Sequence, residues 1–562
     1  MLKRNNHREI EIDEIFSDRR NAPGFHQENM EGAIENPIKK EVFLVLAGFL
    51  TLALVLFGVR TGFLQIVLGD KFYERSEANY LRIASKPSER GIIYDRDGAA
   101  LAYNNENTDR KIARKYPEKG FLHVLGYLGL SKEETDDSRF LRGVSGLEAV
   151  YNDILAGVPG KKIEEVDAKG NIVGSGALEK GEAGRNILTS LSGDLEIRLA
   201  EAILSTMQER GFTGGAGVFI DVNTGEILAL ASLPEFDPNS LSLFIEKLLN
   251  DEGKPFLNRA ISGFYPPGSV VKPALAVGAL AEKIITQDQK ILSTGSIILP
   301  NPYNPEQPNI FLDWKAHGLV DMRRALAVSS DVYFYTIGGG YQGQPGLGAW
   351  KIKKYLSMFG FGEPTGIDLA GEKKGHIPDP SEKQGGRDWT VGDTYHMSIG
   401  QGNMTATPLQ IAVYAATIAS DGVMPYPHVV RALVNRDKQP VQIFPYPAKQ
   451  KIEISADIFK IIKEGMRESV QYGTAVGLSA LPFEVAAKTG TAEIGGTKKV
   501  HSWSMGFFPY DAPKVAFAIL MESGPRANTI GATFVAANVL SWIAETGFLN
   551  KLKNDILLTN NQ

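Results

Sequence analysis

The chain contains no cysteine, and that absence removes disulfides, thiolate metal sites and cysteine nucleophiles together. A cysteine-free chain sits easily with an extracytoplasmic protein without requiring one. An excess of either charge is lacking too: 60 Lys and Arg against 65 Asp and Glu leave a net charge of −5 over 562 residues, which gives no reason to expect a nucleic-acid partner. No internal repeat is visible. Length alone allows roughly two to four domains.

One long apolar run is present. From Val42 to Val59 the chain is uncharged and almost wholly apolar, bounded by Lys39-Lys40-Glu41 and Arg60, and about eighteen such residues are enough to cross a bilayer core. A cleavable signal has a shorter apolar core with a small-residue cleavage site close behind it, whereas Arg60-Thr-Gly-Phe-Leu-Gln follows here, so the segment is expected to anchor the chain as a transmembrane helix over residues 42–62. Flanking charge does not orient it, because Lys39 and Lys40 are opposed by Arg60, Lys71 and Arg75. Residues 1–41 mix both signs with few apolar side chains and read as a mostly disordered tail.

Beyond the span, residues 63–184 are rich in Gly, charge and short β-like runs, with turn signals at Asp95-Arg-Asp-Gly98 and Ala168-Lys-Gly-Asn, which predicts a small β-rich domain. A larger domain is expected over residues 185–550, with 551–562 as a tail. It holds a hairpin signal, Gly217 to Val222 and Glu226 to Ala231 about Asn223-Thr-Gly225. Strand-like runs Trp503 to Pro509 and Val515 to Met521 are expected to add edges, and Phe534 to Ala544 reads as a closing helix. The fold class is therefore α+β, an antiparallel sheet with helices on its faces. No second enzymatic module is expected ahead of Arg185.

Three short polar motifs then stand in order: Ser269-Val-Val-Lys272, Ser329-Ser-Asp331 and Lys488-Thr-Gly490-Thr491. A chain of this length holds roughly two S-x-x-K matches by chance at average composition, so the first motif decides nothing alone. The order decides, because it is the signature of active-site serine acyl transferases that attack a peptide carbonyl. Tyr265-Pro-Pro-Gly268 forces an extended approach and a tight turn before an Ala-rich helical run from Val270 to Leu280, which puts Ser269 at a helix N-terminus. Residues three apart share one helix face, which places the Lys272 amine over the Ser269 oxygen as a base. An unperturbed lysine has a pKa of about 10.4, so such a base needs burial or a second cation, and Lys488 is the candidate. Gly490 would let a substrate backbone lie close along the strand.

The middle motif has decoys. Ser192-Gly-Asp194 precedes the nucleophile and fails the order, and Ser455-Ala-Asp457 opens the amphipathic run Ile458 to Val470 as an ordinary N-cap. Ser329 instead joins the run Met322–Val328 to Val332–Ile337, a helix junction where a hydroxyl can point into a cleft. Asp313 and His317, four apart in Asp313-Trp-Lys-Ala-His317, could share a metal if helical, but two ligands make a poor zinc site. No metal and no cofactor are expected.

At this point the chain resembles the class B penicillin-binding proteins, most closely the penicillin-binding protein 2 group of cell-elongation transpeptidases, from about residue 40 to the C-terminus. Besides the motifs, Arg90-Gly-Ile-Ile-Tyr-Asp95-Arg-Asp-Gly98 and Gly143-Val-Ser-Gly-Leu-Glu148 look like the family's pedestal segments, and Gly392-Asp-Thr394, Gly400-Gln-Gly402 and Thr405-Ala-Thr-Pro408 like its transpeptidase segments. Only about sixteen residues separate Asn104 from Phe121, where many relatives insert a head, so the pedestal is expected to lack it. Some relatives also carry a cysteine beside the middle-motif serine, where Ser330 stands here.

The resemblance implies a serine β-lactamase/D,D-peptidase-like fold. It also implies a bacterial cytoplasmic-membrane protein with its catalytic domain outside, crosslinking D-Ala-D-Ala stem peptides through an acyl-serine intermediate and binding β-lactams covalently. Ser269 would be the nucleophile and Lys272 its base. Ser329 would relay protons beside Asp331, Lys488 and Thr489 would hold the substrate carboxylate, and the Ser269 and Thr491 N–H groups would bind the oxyanion next to Gly490. A SEDS-type membrane glycosyltransferase is the implied partner. Asp331, where relatives of the division group carry Asn, leans toward elongation. A division-type transpeptidase, a membrane β-lactam sensor and a carboxypeptidase or β-lactamase are the alternatives, the last two because the same acyl-serine could signal or hydrolyse.

Overall fold

The computed structural model describes residues 39–106, 112–117, 119–130, 141–167, 172–301, 304–382 and 386–552. Most of the expected N-terminal tail, the turn at Ala168-Lys-Gly-Asn and most of the C-terminal tail lie outside them, and Lys40 and Glu41, expected in the tail, begin a helix. The chain divides into two compact units, residues 1–82 with 164–174, and residues 83–163 with 175–562.

In the first unit one helix, Lys40–Gly62, runs on into a π-helical turn at Phe63–Val67. Its apolar side chains point outward on every side, with Leu44 72% and Phe57 73% exposed. A helix apolar all round needs an apolar surrounding, and this one is long and apolar enough to cross a membrane.

The second unit contains two large sheets besides several two-stranded ones. A six-stranded sheet runs in the order Pro440–Ile443, Val430–Val434, Asn186–Thr189, Ile93–Tyr94, Ala100–Glu106, Ile112–Lys115. Its middle pair is parallel, Ile93 opposite Ile187, so chain from both sides of Arg185 builds one sheet. The Asp95-Arg-Asp-Gly98 signal is a turn in which Asp95 Oδ1 accepts from Asp97 N (3.0 Å) and Ala99 N (2.7 Å). Behind the sheet, the fully buried Glu148 binds two guanidiniums. Arg90 reaches its Oε2 from Nε at 2.6 Å and from Nη2 at 2.5 Å, and Arg114 Nε reaches its Oε1 at 2.8 Å. The two pedestal segments singled out in the sequence thus meet as an ion cluster.

The other sheet has five antiparallel strands: β1 (Gly214–Asp221), β2 (Ile227–Leu233), β3 (Ala486–Glu493), β4 (Lys499–Phe508) and β5 (Val515–Pro525), in the order β2-β1-β5-β4-β3. The predicted hairpin is β1-β2. The runs expected to add edges, now β4 and β5, lie inside the sheet instead, and the edges are β2 and β3. The cause is cover on both faces. Val218, Met505 and Leu520 pack under the helices Lys272–Ala281 and Pro408–Ala419 on one face, while Phe219, Phe517 and Met521 pack under Gly193–Arg210 and Gly531–Thr546 on the other. Strands so enclosed are apolar at successive positions, and that pattern does not reveal strand order. Ser455 caps the helix Ala456–Gln471 by accepting from Asp457 N, as expected of that decoy.

Candidate active site

The approach to Ser269 is fixed from two sides. Tyr265 and Ala406 exchange backbone hydrogen bonds of 3.2 and 2.9 Å, and Trp503 Nε1 of β4 donates to Pro266 O at 3.0 Å. Gly268 turns the chain with φ +58° and donates to Gly400 O at 2.9 Å. A Cβ there would stand 2.8 Å from Thr491 O, so both the left-handed backbone and the close approach call for glycine.

Ser269 is half-buried within a 3₁₀ turn, Gly268–Val271, and the α-helix begins only at Lys272. The α-helix therefore starts two residues later than the Val270 expected, with the serine one turn ahead of it, because Pro273 favours the first helical turn. One free N–H of that turn, Ala274 N, is satisfied by the hydroxyl of Tyr414 at 2.8 Å.

The expected contact between Lys272 and Ser269 is not made. Lys272 Nζ, wholly buried, donates to Ser329 O (2.8 Å), Ser329 Oγ (3.2 Å) and Asp331 Oδ1 (2.6 Å). An ammonium has three N–H donors, and all three point at the middle motif.

Ser329 owes its position to a strained turn. The helix Met322–Ala327 ends with Ser330 N donating to Ala325 O (3.0 Å) and Ser329 N to Leu326 O (3.3 Å), while Ser329 has φ +56°. This is a Schellman ending, with a serine where glycine is usual. A left-handed non-glycine residue costs about 1–2 kcal/mol. The turn aims Ser329 Oγ between two amines, Lys272 Nζ at 3.2 Å and Lys488 Nζ at 2.8 Å.

Lys488 enters from the edge strand β3. It is wholly buried, and besides Ser329 Oγ its amine donates to Thr489 O at 2.9 Å. Burial first, and the neighbouring Lys272 second, push its amine well below the usual lysine value. The sequence expectation had the influence running from Lys488 to Lys272. Here it is Lys488 that is driven toward the neutral form, since its partners are uncharged oxygens. Burial raises the Asp331 carboxyl above its ordinary value, with Lys272 opposing the rise.

Along β3, Gly490 faces the nucleophile turn so closely that a Cβ would lie 2.9 Å from Pro267 O. Thr491 O accepts from Gln401 Nε2 at 3.4 Å, away from β4. The N–H and C=O of a strand residue point the same way, so Thr489 and Thr491 turn their backbone groups to the open edge, where an extended peptide can add as a further strand. Thr489 Oγ1 donates to Thr474 Oγ1 at 2.6 Å, a contact with no signal in the sequence.

Asp313 and His317 lie in a bend rather than a helix. His317 Nε2 is 3.5 Å from Asp313 Oδ1 without hydrogen-bond geometry. Asp313 Oδ2 instead accepts from Ser330 Oγ (2.9 Å), Ser293 Oγ (3.2 Å) and Val332 N (3.0 Å). The carboxylate weighed as a metal ligand is therefore an anchor for the turn that carries Ser329. Among the described residues no group of three or more His, Asp and Glu is placed to hold a metal.

The constellation is thus a half-buried serine, a hydroxyl bridging two buried amines, a carboxylate and an open strand edge, a set suited to acyl transfer at a peptide carbonyl. The family model "Penicillin binding protein transpeptidase domain" matches residues 215–541, and "Penicillin-binding Protein dimerisation domain" matches residues 105–189. The peptidoglycan D,D-transpeptidase MrdA of Escherichia coli strain K12 is 30% identical over 83% of this chain and 88% of its own length. Among solved structures, Pseudomonas aeruginosa PBP2 in complex with WCK 5153 aligns with TM-score 0.67 at 29% identity, over 82% of this chain and 97% of that one. A chain of a peptidoglycan synthase complex that coordinates polymerization and crosslinking aligns with TM-score 0.68 at 26% identity, over 89% and 99%.

Proposed function

The chain belongs to the penicillin-binding protein transpeptidase family, and from that premise we propose how its residues divide the reaction. It is a serine-type peptidoglycan D,D-transpeptidase. It crosslinks stem peptides in cell-wall elongation by acyl transfer from a D-Ala-D-Ala terminus, and β-lactams acylate the same serine.

The observation that carries the assignment of roles is the bridging of Lys272 and Lys488 by Ser329 Oγ, at 3.2 and 2.8 Å. A donor peptide lies along the open edge of β3 with its terminal carboxylate against Lys488 and Thr489. That carboxylate favours the charged form of Lys488. A proton passes to Lys488 from Ser329 Oγ, and Ser329 takes one from Lys272, which leaves the Lys272 amine free to accept. Ser269 Oγ then attacks the penultimate carbonyl and gives its proton to Lys272. The oxyanion is met by the N–H groups of Ser269 and Thr491, each worth about 3–4 kcal/mol by analogy with proteases. As the C–N bond breaks, the proton returns through Ser329 to the leaving D-Ala amine. The acceptor amine reverses the sequence: its nitrogen bonds to the acyl carbon, its proton enters the same relay, and Ser269 Oγ leaves reprotonated.

The apolar helix Lys40–Gly62 anchors the protein in the bacterial cytoplasmic membrane with the catalytic unit outside. Its partner there is a SEDS-type glycosyltransferase supplying glycan strands, a reading supported by the likeness to a chain of a peptidoglycan synthase complex.

Ser269→Ala removes a single oxygen and is expected to abolish covalent labelling by a fluorescent penicillin while leaving the melting temperature unchanged. Labelling at the wild-type level in that variant would overturn the assignment of the nucleophile.

A further inference from the structure

Beside the catalytic cleft lies a cavity of about 290 Å³ whose lining includes Arg387, Trp389, Asp393, His396 and Gln401. Two segments picked out in the sequence, Gly392-Asp-Thr394 and Gly400-Gln-Gly402, contribute Asp393, Gln401 and Gly402 to its lining, and the reaction described above uses neither. Its place along the substrate follows from β3. With the donor's carboxylate at Lys488 and Thr489 and its scissile carbonyl at Thr491 N–H, the donor residue before the terminal D-Ala-D-Ala lies past Thr491 toward Glu493. Gln401, which lines the cavity, donates to Thr491 O at that level.

The cavity contains one fixed cation. Arg387 forks onto Asp393, Nη1 to Oδ2 at 2.6 Å and Nη2 to Oδ1 at 2.7 Å, and Nη1 also donates to Asp388 O at 3.2 Å. Asp393 is held in turn by Thr390 N at 2.8 Å and Thr390 Oγ1 at 2.7 Å, the capping box of the helix Val391–Ser398. Hydrogen bonds from Arg387 hold the Asp393 carboxyl well below its ordinary value, so the pair stays ionised. Three of the five guanidinium donors are engaged and two are left over, on a side chain still 55% exposed. The indole N–H of Trp389 is committed to Thr394 Oγ1 at 2.8 Å, and burial lowers the pKa of His396, which adds no competing cation near neutrality. A pre-positioned guanidinium with free N–H groups recognises a carboxylate.

We propose that this cavity is a donor subsite in which Arg387, held by Asp393, binds a carboxylate on the side chain of the stem-peptide residue that precedes D-Ala-D-Ala. The inference rests on the donor placement above.

The test uses the full-length protein and two synthetic donor peptides that differ only in a carboxylate or a carboxamide at that side chain. Wild-type kcat/KM for D-Ala release is expected to be about tenfold higher with the carboxylate, the scale of one charge-assisted hydrogen bond. Arg387→Ala is expected to lose that factor for the carboxylate peptide, chiefly in KM, and to leave the carboxamide peptide and the rate of benzylpenicillin acylation unchanged. Equal use of both peptides by the wild type, or an equal loss with both in the variant, would overturn the subsite. Failure of the acyl-serine reading looks different, because then benzylpenicillin would not acylate the wild type at all.

Discussion

Two buried clusters in this molecule share one inventory of charge, two cations and a carboxylate, and use it in opposite ways. In the pedestal, Glu148 takes Arg90 on one oxygen and Arg114 on the other, and Tyr116 OH adds a hydrogen bond at 3.3 Å. Guanidinium does not give up its proton in a protein, and its planar fork matches a carboxylate, so this cluster has one state and ties strands to a helix. In the candidate cleft, among the described residues, Asp331 pairs with Lys272 alone, and Lys488 donates only to Ser329 Oγ and Thr489 O. Ammonium can release a proton, and a buried amine without a counter-ion is pressed to do so. The choice of cation separates a fastening from a proton relay.

Breaking the fastening gives the largest expected effect. Glu148→Ala leaves two guanidiniums buried without a carboxylate and should cost about 3–5 kcal/mol, read as a fall in melting temperature. At a temperature where the variant is still folded, penicillin acylation should persist, since Glu148 holds the pedestal and touches no substrate. A thermally neutral Glu148→Ala would mean that the two clusters do not differ as described.

Removing the amine that has no counter-ion should act in the other direction. Lys488→Met replaces a buried amine by a side chain of similar volume and is expected to stabilise the fold by about 1–4 kcal/mol while abolishing acylation. The gain depends on pH. With its amine held below the ordinary value, the folded chain binds one proton fewer than the unfolded chain between the depressed value and about 10.4. Wild-type stability therefore rises with pH across that window, and the advantage of the variant is largest at its lower end and shrinks toward pH 10. Melting curves of both proteins at several pH values check the sign.

Much of the candidate site was legible because its polar residues fall in three motifs whose order survives any error in secondary structure: Ser269, Lys272, Ser329, Asp331 and Lys488 to Thr491 are brought together by the fold. Geometry within the cleft was less legible. Three-residue spacing placed Lys272 over Ser269, yet its donors are drawn to Ser329 and Asp331, which are distant in sequence and close only after folding. Trp503 to Pro509 and Val515 to Met521 read as strands, but edge and interior strands differ by their neighbours, and neighbours are set by the whole sheet. Asp313 illustrates the remaining difficulty, since the spacing that suggested a metal ligand belongs to a carboxylate that accepts from Ser330, Ser293 and Val332 N.

The claim at the centre of this account is that protons travel between Lys272 and Lys488 through Ser329 Oγ. Ser329→Ala keeps both amines, the carboxylate and the Cβ of the left-handed turn, and removes only the bridging oxygen. The direct measurement is the benzylpenicillin acylation reaction of this variant by stopped flow, resolved into non-covalent affinity and the first-order acylation rate. The account predicts an affinity within a factor of about two of wild type and a rate lower by about 10²–10⁴, the usual scale of general acid–base catalysis. An acylation rate equal to that of the wild type would contradict it.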